Sequence, residues 1–241
     1  YAAWNWKANG AGVSNTNGSI TSTVSANVDA GFSIINYVGD DTASATVGHG
    51  LSIAPEMVII KNRSAAGDDW WAFGSNHFTR IRFNSTTADE GNFPLGYSSS
   101  LITLPNLNNS AWSGQGVTTN NYIMYAFHSV EGYSKVGSYT GNGSADGTFV
   151  YTGFRPAYVM IKRATTAGGS WAIYDSSRNT YNVANLSLYP NLSNAEETYD
   201  VLDFTSNGFK IRASSLGVNQ SGNTFIYIAF AEHPMKYSNA R

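Results

Sequence analysis

The sequence contains no cysteine, which excludes disulfide staples, thiolate metal sites and cysteine nucleophiles. It is also poor in charge. Asp, Glu, Lys and Arg make up 12% of the 241 residues, about half the usual share. A coiled coil, a charged disordered tail and a long helical bundle are excluded on that ground, since all draw on Glu, Lys, Arg, Ala or Leu. The net charge of -2 offers no field for a polyanion, so no nucleic-acid partner is expected. No apolar run approaches the ~18 residues of a spanning helix, so no membrane insertion is expected. With four histidines, a His-based metal or nucleophile site would need scattered residues to converge. There is no Gly-x-Ser-x-Gly elbow, no phosphate-binding Gly/Lys loop and no His-Glu-x-x-His. No cofactor, metal or catalytic residue is expected.

What is present is 24 Gly, 15 Tyr, 12 Phe and 6 Trp, with abundant Ser, Thr and Asn. This is the composition of an uncharged, turn-rich, aromatic-rich β protein. Arg80-Ile81-Arg82-Phe83 and Phe209-Lys210-Ile211-Arg212 alternate polar with apolar residues, the period of half-buried strands. Val58 to Ile60, Tyr122 to Phe127 and Phe225 to Phe230 are apolar at successive positions. They fit central strands covered on both sides. Asn-Gly occurs at Asn9-Gly10, Asn17-Gly18, Asn142-Gly143 and Asn207-Gly208, and tolerates the positive φ of tight hairpins.

The sequence repeats itself. Gly31-Phe32-Ser33 matches Gly132-Tyr133-Ser134. Ala54-Pro55-Glu56-Met57-Val58-Ile59-Ile60-Lys61 matches Arg155-Pro156-Ala157-Tyr158-Val159-Met160-Ile161-Lys162. Tyr122 to Phe127 matches Phe225 to Phe230. A weaker match joins Ile81, Phe83 and Ala88-Asp89-Glu90 to Leu186, Leu188 and Ala195-Glu196-Glu197. Order and spacing are kept together, which implies two copies of a unit of about 100 residues, near the size of a sandwich domain. The expected fold is all-β: two tandem antiparallel β-sandwich-like repeats, residues 31–131 and 132–241. Residues 1–30 are expected to form an extended N-terminal arm or linker, because Asn15 to Asn27 could not bury a core alone. Trp4 and Trp6, two apart and so on one face of an extended chain, are the expected anchors of that arm at a subunit contact. The chain opens on Tyr1 with no leader pattern before it. It is expected to be a fragment, a processed product or an incompletely read polypeptide.

Several long stretches carry a family resemblance: Asn17-Gly18-Ser19-Ile20 through Asn27, Val47-Gly48-His49-Gly50-Leu51 through Ser64, Gly132-Tyr133-Ser134-Lys135 through Gly147, Tyr151-Thr152-Gly153-Phe154-Arg155-Pro156, Asp203-Phe204-Thr205-Ser206-Asn207-Gly208-Phe209-Lys210 and Ala229-Phe230-Ala231-Glu232-His233-Pro234. Together they resemble an uncharacterised domain that recurs in aquatic bacteriophage genomes, in proteins labelled tail-fibre-like or structural. The resemblance covers nearly the whole chain and carries over no catalytic residues. Asp40-Asp41 departs from it, standing where a Gly/Asn-type turn like Asn142-Gly143 is expected.

The chemistry-bearing residues have ordinary readings. His49 lies in a Gly-His-Gly turn, expected to serve turn geometry or a surface hydrogen bond. His128 and His233 follow equivalent strands beside Glu131 and Glu232, and a shared strand exit explains both. The paired acids Asp40-Asp41, Asp68-Asp69, Asp89-Glu90 and Glu196-Glu197 read as solvated loops. A glycosidase would need two carboxylates facing each other roughly 5 to 9.5 Å apart. Asn142, Ser144, Asp146 and Gly147 faintly resemble a calcium loop, but no later carboxylate closes it and a hairpin turn is expected. Arg63, Arg80, Arg82, Lys162, Arg163, Arg178, Lys210 and Arg212 read as outer strand faces that discourage edge-to-edge pairing.

The aromatics are more informative. Trp70 and Trp71 are adjacent, so a strand would bury one and expose the other. The second copy has the single Trp171 in their place. Trp112 lies in a Ser/Gly/Asn-rich loop. Aromatic rings can stack on sugar C–H faces while Asn, Asp and Ser bond hydroxyls. Core or subunit packing competes for every one of these rings. The unshared residues Asp68, Asp69 and Trp71 form the expected glycan-contact site. The expected function is a non-enzymatic virion component at the virion surface or otherwise extracellular. It is read as a tail-fibre or receptor-binding domain contacting host-surface glycan and other virion proteins. A homo-oligomer is expected, a trimer by analogy with fibre domains. The alternatives are a structural or decorating subunit of a virion or extracellular filament, and a fibre-borne glycan-cleaving enzyme.

Overall fold

Aromatic and β-branched residues at period two make strands throughout, and the computed structural model is all-β across the residues it describes, 2–105, 120–214 and 217–233. Among those residues there is no helix long and apolar enough to cross a membrane. The chain divides into two compact units. Unit 1 contains residues 1–80 and 91–128, and unit 2 contains 81–90 and 129–241.

Unit 1 is built from β1 (Val13–Asn15), β2 (Ser22–Asn27), β3 (Phe32–Val38), β4 (Thr46–Gly48), β5 (Met57–Asn62), β6 (Trp70–Gly74), the first residue of β7 (Arg80–Arg82), β8 (Gly96–Tyr97), β9 (Leu101–Thr103) and β10 (Asn121–Phe127). The large sheet runs β1-β2-β3-β10-β5-β6-β7, and a smaller one runs β4-β9-β8. Their facing side chains form one core, with Ile35, Ile60, Phe73 and Met124 from the large sheet against Val47, Ile102 and Leu104. Tyr37 lies opposite Tyr122 across β3 and β10, and the two rings stack at 5.1 Å.

Unit 2 contains β11 (Ser134–Thr140), β12 (Phe149–Tyr151), β13 (Pro156–Arg163), β14 (Ala172–Asp175), β15 (Ala184–Ser187), β16 (Glu197–Thr205), β17 (Gly208–Ile211) and β18 (Thr224–Ala231). One sheet runs β11-β18-β13-β14 and the other β12-β17-β16-β15, all antiparallel. Between them lie Val159, Ile161, Phe225 and Tyr227 against Leu202, Phe204, Phe209 and Ile211. Both faces of β18 are buried: Phe225, Tyr227 and Ala229 on one, Ile226, Ile228 and Phe230 on the other. This matches the run of apolar residues at successive positions.

The repeat is a structural repeat. Unit 1 contains the antiparallel order β3-β10-β5-β6, and unit 2 the order β11-β18-β13-β14. The register agrees residue for residue: Phe127 faces Met57 and Ile123 faces Lys61, as Phe230 faces Tyr158 and Ile226 faces Lys162. The stacked pair recurs as Tyr139 opposite Phe225, 5.2 Å apart. The first motif needs a correction of one residue, however. Phe32 faces Phe127 while Ser134 faces Phe230, so Phe32 corresponds to Ser134 and not to Tyr133. The acidic turn obeys the corrected alignment. Asp40 Oδ1 accepts the Thr42 N–H at 3.0 Å and Asn142 Oδ1 accepts the Ser144 N–H at 3.0 Å. Asp41 takes φ 60° where Gly143 takes φ 70°, a left-handed conformation that Asp tolerates better than most residues. The departure at Asp40-Asp41 therefore changes the residues and keeps the turn.

Residues 1–30 are not a free arm. β2 pairs along its whole length with β3, and β1 with β2, while Ile20 and Val24 enter the core. Low apolar content does not prevent this, because the β3 edge supplies backbone partners and the small side chains allow close packing. A Cβ on Gly50 (φ +71°) would lie 2.8 Å from Val24 Cγ1. The segment before β1 tracks β2: Ser25 Oγ accepts the Asn9 N–H at 3.0 Å and donates to the Gly10 carbonyl at 2.9 Å, and Asn27 Nδ2 donates to the Lys7 carbonyl at 3.0 Å. Trp4 and Trp6 are half-buried, and the Trp6 ring meets Phe127 of the same unit edge-on at 6.5 Å. Trp6 thus anchors within its own unit.

Residues 81–90, expected in the first repeat, belong to unit 2. Asp89 N–H donates to the Ala164 carbonyl and Gly168 N–H to the Thr86 carbonyl, both at 2.8 Å. Trp171, 1% exposed, donates from Nε1 to the Arg82 carbonyl at 3.0 Å and packs on the Phe83 ring at 4.9 Å.

Candidate functional site

The glycan site expected from sequence lies on the turn between β5 and β6. Strand alternation turns the two indoles of β6 to opposite faces. Trp71 is the inward one, 5% exposed within the unit 1 core, with the Arg80 guanidinium 4.6 Å above its ring. Trp70 is half-buried and stacks on Tyr125 at 6.4 Å. The trio of Asp68, Asp69 and Trp71 therefore does not form one surface, and Trp71 has no face to offer a sugar. Register also settles which tryptophan is shared. Ile60 faces Trp71 and Ile161 faces Ala172, so Trp70 corresponds to Trp171 and Trp71 is the additional one. That additional ring fills core space. Asp68 and Asp69 are half-buried, and Asp68 Oδ2 accepts a hydrogen bond from Asn62 Nδ2 at 2.8 Å.

Both copies close this turn with a lysine. Lys61 Nζ donates to the Asp68 carbonyl, and Lys162 Nζ to the Gly169 carbonyl at 2.8 Å. Lys162 also donates to the carbonyls of Thr87 at 2.6 Å and Arg163 at 3.0 Å. It is fully buried, and Arg163 and Arg80 are buried too, which corrects their reading as outer-face charges. Arg163 binds the same turn through the carbonyls of Thr166 at 3.1 Å and Ala167 at 2.5 Å, and Gln220 Oε1 at 2.6 Å. Burial, and next the charge of Arg163, lower the Lys162 ammonium to about 8.

This sets a pH dependence. Between pH ~8 and ~10 the unfolded chain holds the Lys162 proton and the folded chain releases it, so the contribution of this group to stability rises with pH. The buried phenols of Tyr37 and Tyr139, raised well above their ordinary value by desolvation, ionise first in the unfolded chain and oppose that rise as pH approaches ~10. The stability difference between parent and Lys162→Met, read by urea denaturation at each pH, is expected to move by about 2 kcal/mol in the parent's favour from pH ~8 to ~10. A difference that stays constant over that range would show that Lys162 does not carry it.

His49 and several of the acids are engaged locally. His49 is fully buried, not at the surface. Its Nδ1 accepts the Leu51 N–H at 3.1 Å and its Nε2 lies 3.2 Å from the Ser98 carbonyl. Burial is the main reason its pKa is lowered, in keeping with the neutral Nε2–H tautomer. Glu232 pairs with Arg155 at 2.9 Å. Glu196 binds Arg178 at 2.6 Å, and Arg178 also holds Asp175 at 2.6 Å. In the turn resembling a calcium loop, the fully buried Asn219 donates to Asn142 Oδ1 at 2.9 Å and to the Ser144 carbonyl at 2.7 Å. Asp146 pairs with Lys210 at 2.6 Å. Among the described residues no group of three or more His, Asp and Glu is placed to hold a metal ion. Trp112 lies outside the described residues.

Sequence reasoning missed a groove of about 490 Å³ in unit 2, lined in part by Tyr174, Ser187, Tyr189, Tyr199, Asp200 and Arg212. It opens where β16 begins and β17 ends, beside β14 and β15. The Arg212 N–H donates to the Val201 carbonyl at 2.6 Å, which sets Asp200 and Arg212 at the same end of neighbouring strands. Arg212 Nε binds Asp203 Oδ2 at 2.6 Å. Tyr189 donates its hydroxyl to Glu197 Oε2 at 2.9 Å, and Asn194 Nδ2 donates to Glu197 Oε1 at 3.1 Å. The available signal was Tyr199-Asp200 in the run Glu196-Glu197-Thr198-Tyr199-Asp200, an aromatic ring beside a carboxylate.

A search of curated protein sequences finds no match. Among solved structures, the major capsid protein P2 from Bacteriophage PM2 aligns over 84% of this chain and 98% of its own. Identity is 9% and the TM-score 0.26, too low to bear on fold or function. At the level of sequence families, one model spans residues 1–234, and the chain therefore belongs to the family of that domain of unknown function, DUF7483.

Proposed function

We propose that this chain is a non-enzymatic component of a bacteriophage virion, displayed at the particle surface as a tail-fibre or receptor-binding domain that contacts host-surface glycan. The sequence resemblance to phage tail-fibre-like proteins supports the setting. The observation that carries recognition is the set of tyrosine rings left outside the cores. Tyr181 is 86%, Tyr151 66% and Tyr199 60% exposed, whereas Tyr139, Phe204, Phe209, Phe225 and Tyr227 of the same unit are buried. Exposed tyrosines among Asn, Ser and Asp supply a flat apolar platform with a polar rim. Such a site is weak alone and gains from several copies on a homo-oligomer, a trimer by analogy. Asp200 is the only carboxylate among the described residues lining the unit 2 groove, which favours binding over cleavage by a facing pair. The test is binding of the purified oligomer to host cells before and after periodate oxidation of their surface sugars. Periodate is expected to abolish binding. Undiminished binding would overturn the glycan reading.

A structural or decorating subunit is the second reading. It is favoured by a groove of about 480 Å³ in unit 1, lined in part by Asn9, Val13, Val24, Ala26 and Val28. Val13 is 67% and Val28 43% exposed, and β1 is an edge strand open to pairing. In this reading Trp4 and Trp6 contribute to contacts with other virion proteins.

A further inference from the structure

The geometry points to the unit 2 groove as the saccharide site, with the ring of Tyr199 stacking on a neutral hexose whose adjacent hydroxyls are held by Asp200 and Arg212. This rests on the glycan reading above and narrows it to one place and one class of sugar.

Three features support it. The volume, about 490 Å³, falls within the range of small-molecule sites. The lining mixes apolar Ala172, Val201, Ala213 and Val218 with polar Ser170, Asp200 and Arg212. Tyr199 is 60% exposed in the middle of a strand, and its ring is not needed for the unit 2 core. Finally, the rim holds complementary groups. Among the described residues, the Asp200 carboxylate makes no hydrogen bond or ion pair. Arg212 uses Nε on Asp203, and its two terminal nitrogens have no partner among them. A carboxylate accepts from one hydroxyl while a guanidinium donates to the next, which matches adjacent hydroxyls on a sugar ring. The groove carries both signs, so an acidic sugar gains no advantage over a neutral one. Tyr174, Ser187 and Tyr189 also line the groove. The β5–β6 turn, by contrast, has its inward indole in the core and its outward indole stacked on Tyr125.

The experiment is a printed array of neutral hexose and uronic-acid oligosaccharides, probed with the intact oligomer and with Tyr199→Ala, Asp200→Asn and Trp70→Ala. Unchanged melting temperatures are checked first for the two groove variants, whose side chains are exposed. The parent is expected to bind neutral hexose glycans, and the groove variants to bind them at least about tenfold more weakly. Trp70→Ala is expected to bind like the parent. Parent binding that Tyr199→Ala and Asp200→Asn leave unchanged would overturn the groove assignment while the glycan reading stands. Binding confined to uronic-acid glycans would overturn the sugar class. Absence of binding to any glycan on the array, joined to periodate-insensitive binding to cells, would overturn both.

Discussion

Trp171→Ala is expected to destabilise unit 2 by about 3 to 5 kcal/mol, the range for deleting a fully buried tryptophan. The indole is 1% exposed, and two effects add. Its removal leaves a cavity beside Phe83, 4.9 Å away, which neighbouring strands can fill only in part. It also removes the donor to the Arg82 carbonyl at 3.0 Å, leaving an acceptor that loses its partner. The contact joins β14 to residues 81–90, so loosening should concentrate there. Urea denaturation followed by tyrosine and tryptophan fluorescence measures the loss. Limited proteolysis is expected to cut within 81–90 first, because Trp171 packs on Phe83 and bonds the Arg82 carbonyl within that segment. A loss below 1 kcal/mol, with no new cleavage in 81–90, would show that this segment does not depend on Trp171. Trp171→Phe, which keeps an aromatic ring but loses the donor and part of the volume, is expected to fall between the parent and Trp171→Ala.

Trp71→Ala is expected to cost about 3 to 5 kcal/mol in unit 1 and to leave glycan binding per folded molecule unchanged. The side chain is 5% exposed among core residues, and the Arg80 guanidinium 4.6 Å above it would lose its aromatic face. Thermal unfolding and binding are measured on one preparation, well below the melting temperature. A variant as stable as the parent that fails to bind would restore Trp71 to the recognition surface. Here the structure reverses the logic of duplication. An unshared residue is a natural suspect for function, yet this one adds volume to a core, and its counterpart Ala172 lies in the core of unit 2.

Much of the fold was legible because it rests on local physics. Period-two patterns announce strands, and Asn-Gly announces turns. Two copies of one sequence are bound to pair strands alike where their facing residues agree. Met57 to Lys61 and Tyr158 to Lys162 meet Phe127 and Phe230 in the same register, and the sequence match shows it. The low charge and absent cysteine likewise bound the chemistry without any coordinates.

Tertiary structure decided what depends on surfaces contributed from elsewhere in the chain. Residues 1–30 looked unable to order themselves, since Asn15 to Asn27 could not bury a core alone. β1 and β2 form there because β3 presents an edge and small side chains fit beneath Gly48 and Gly50. Period two shows that Trp70 and Trp71 point to opposite faces, but which face is inward is set by the second sheet packed on it. A lysine at a strand end reads as a solvated charge until the carbonyls of Thr87 and Gly169 converge with that of Arg163 on Lys162. The groove of unit 2 has the same origin: Tyr174, Tyr189, Tyr199 and Arg212 come from four different stretches, and only the packing of one sheet on another brings them to one wall.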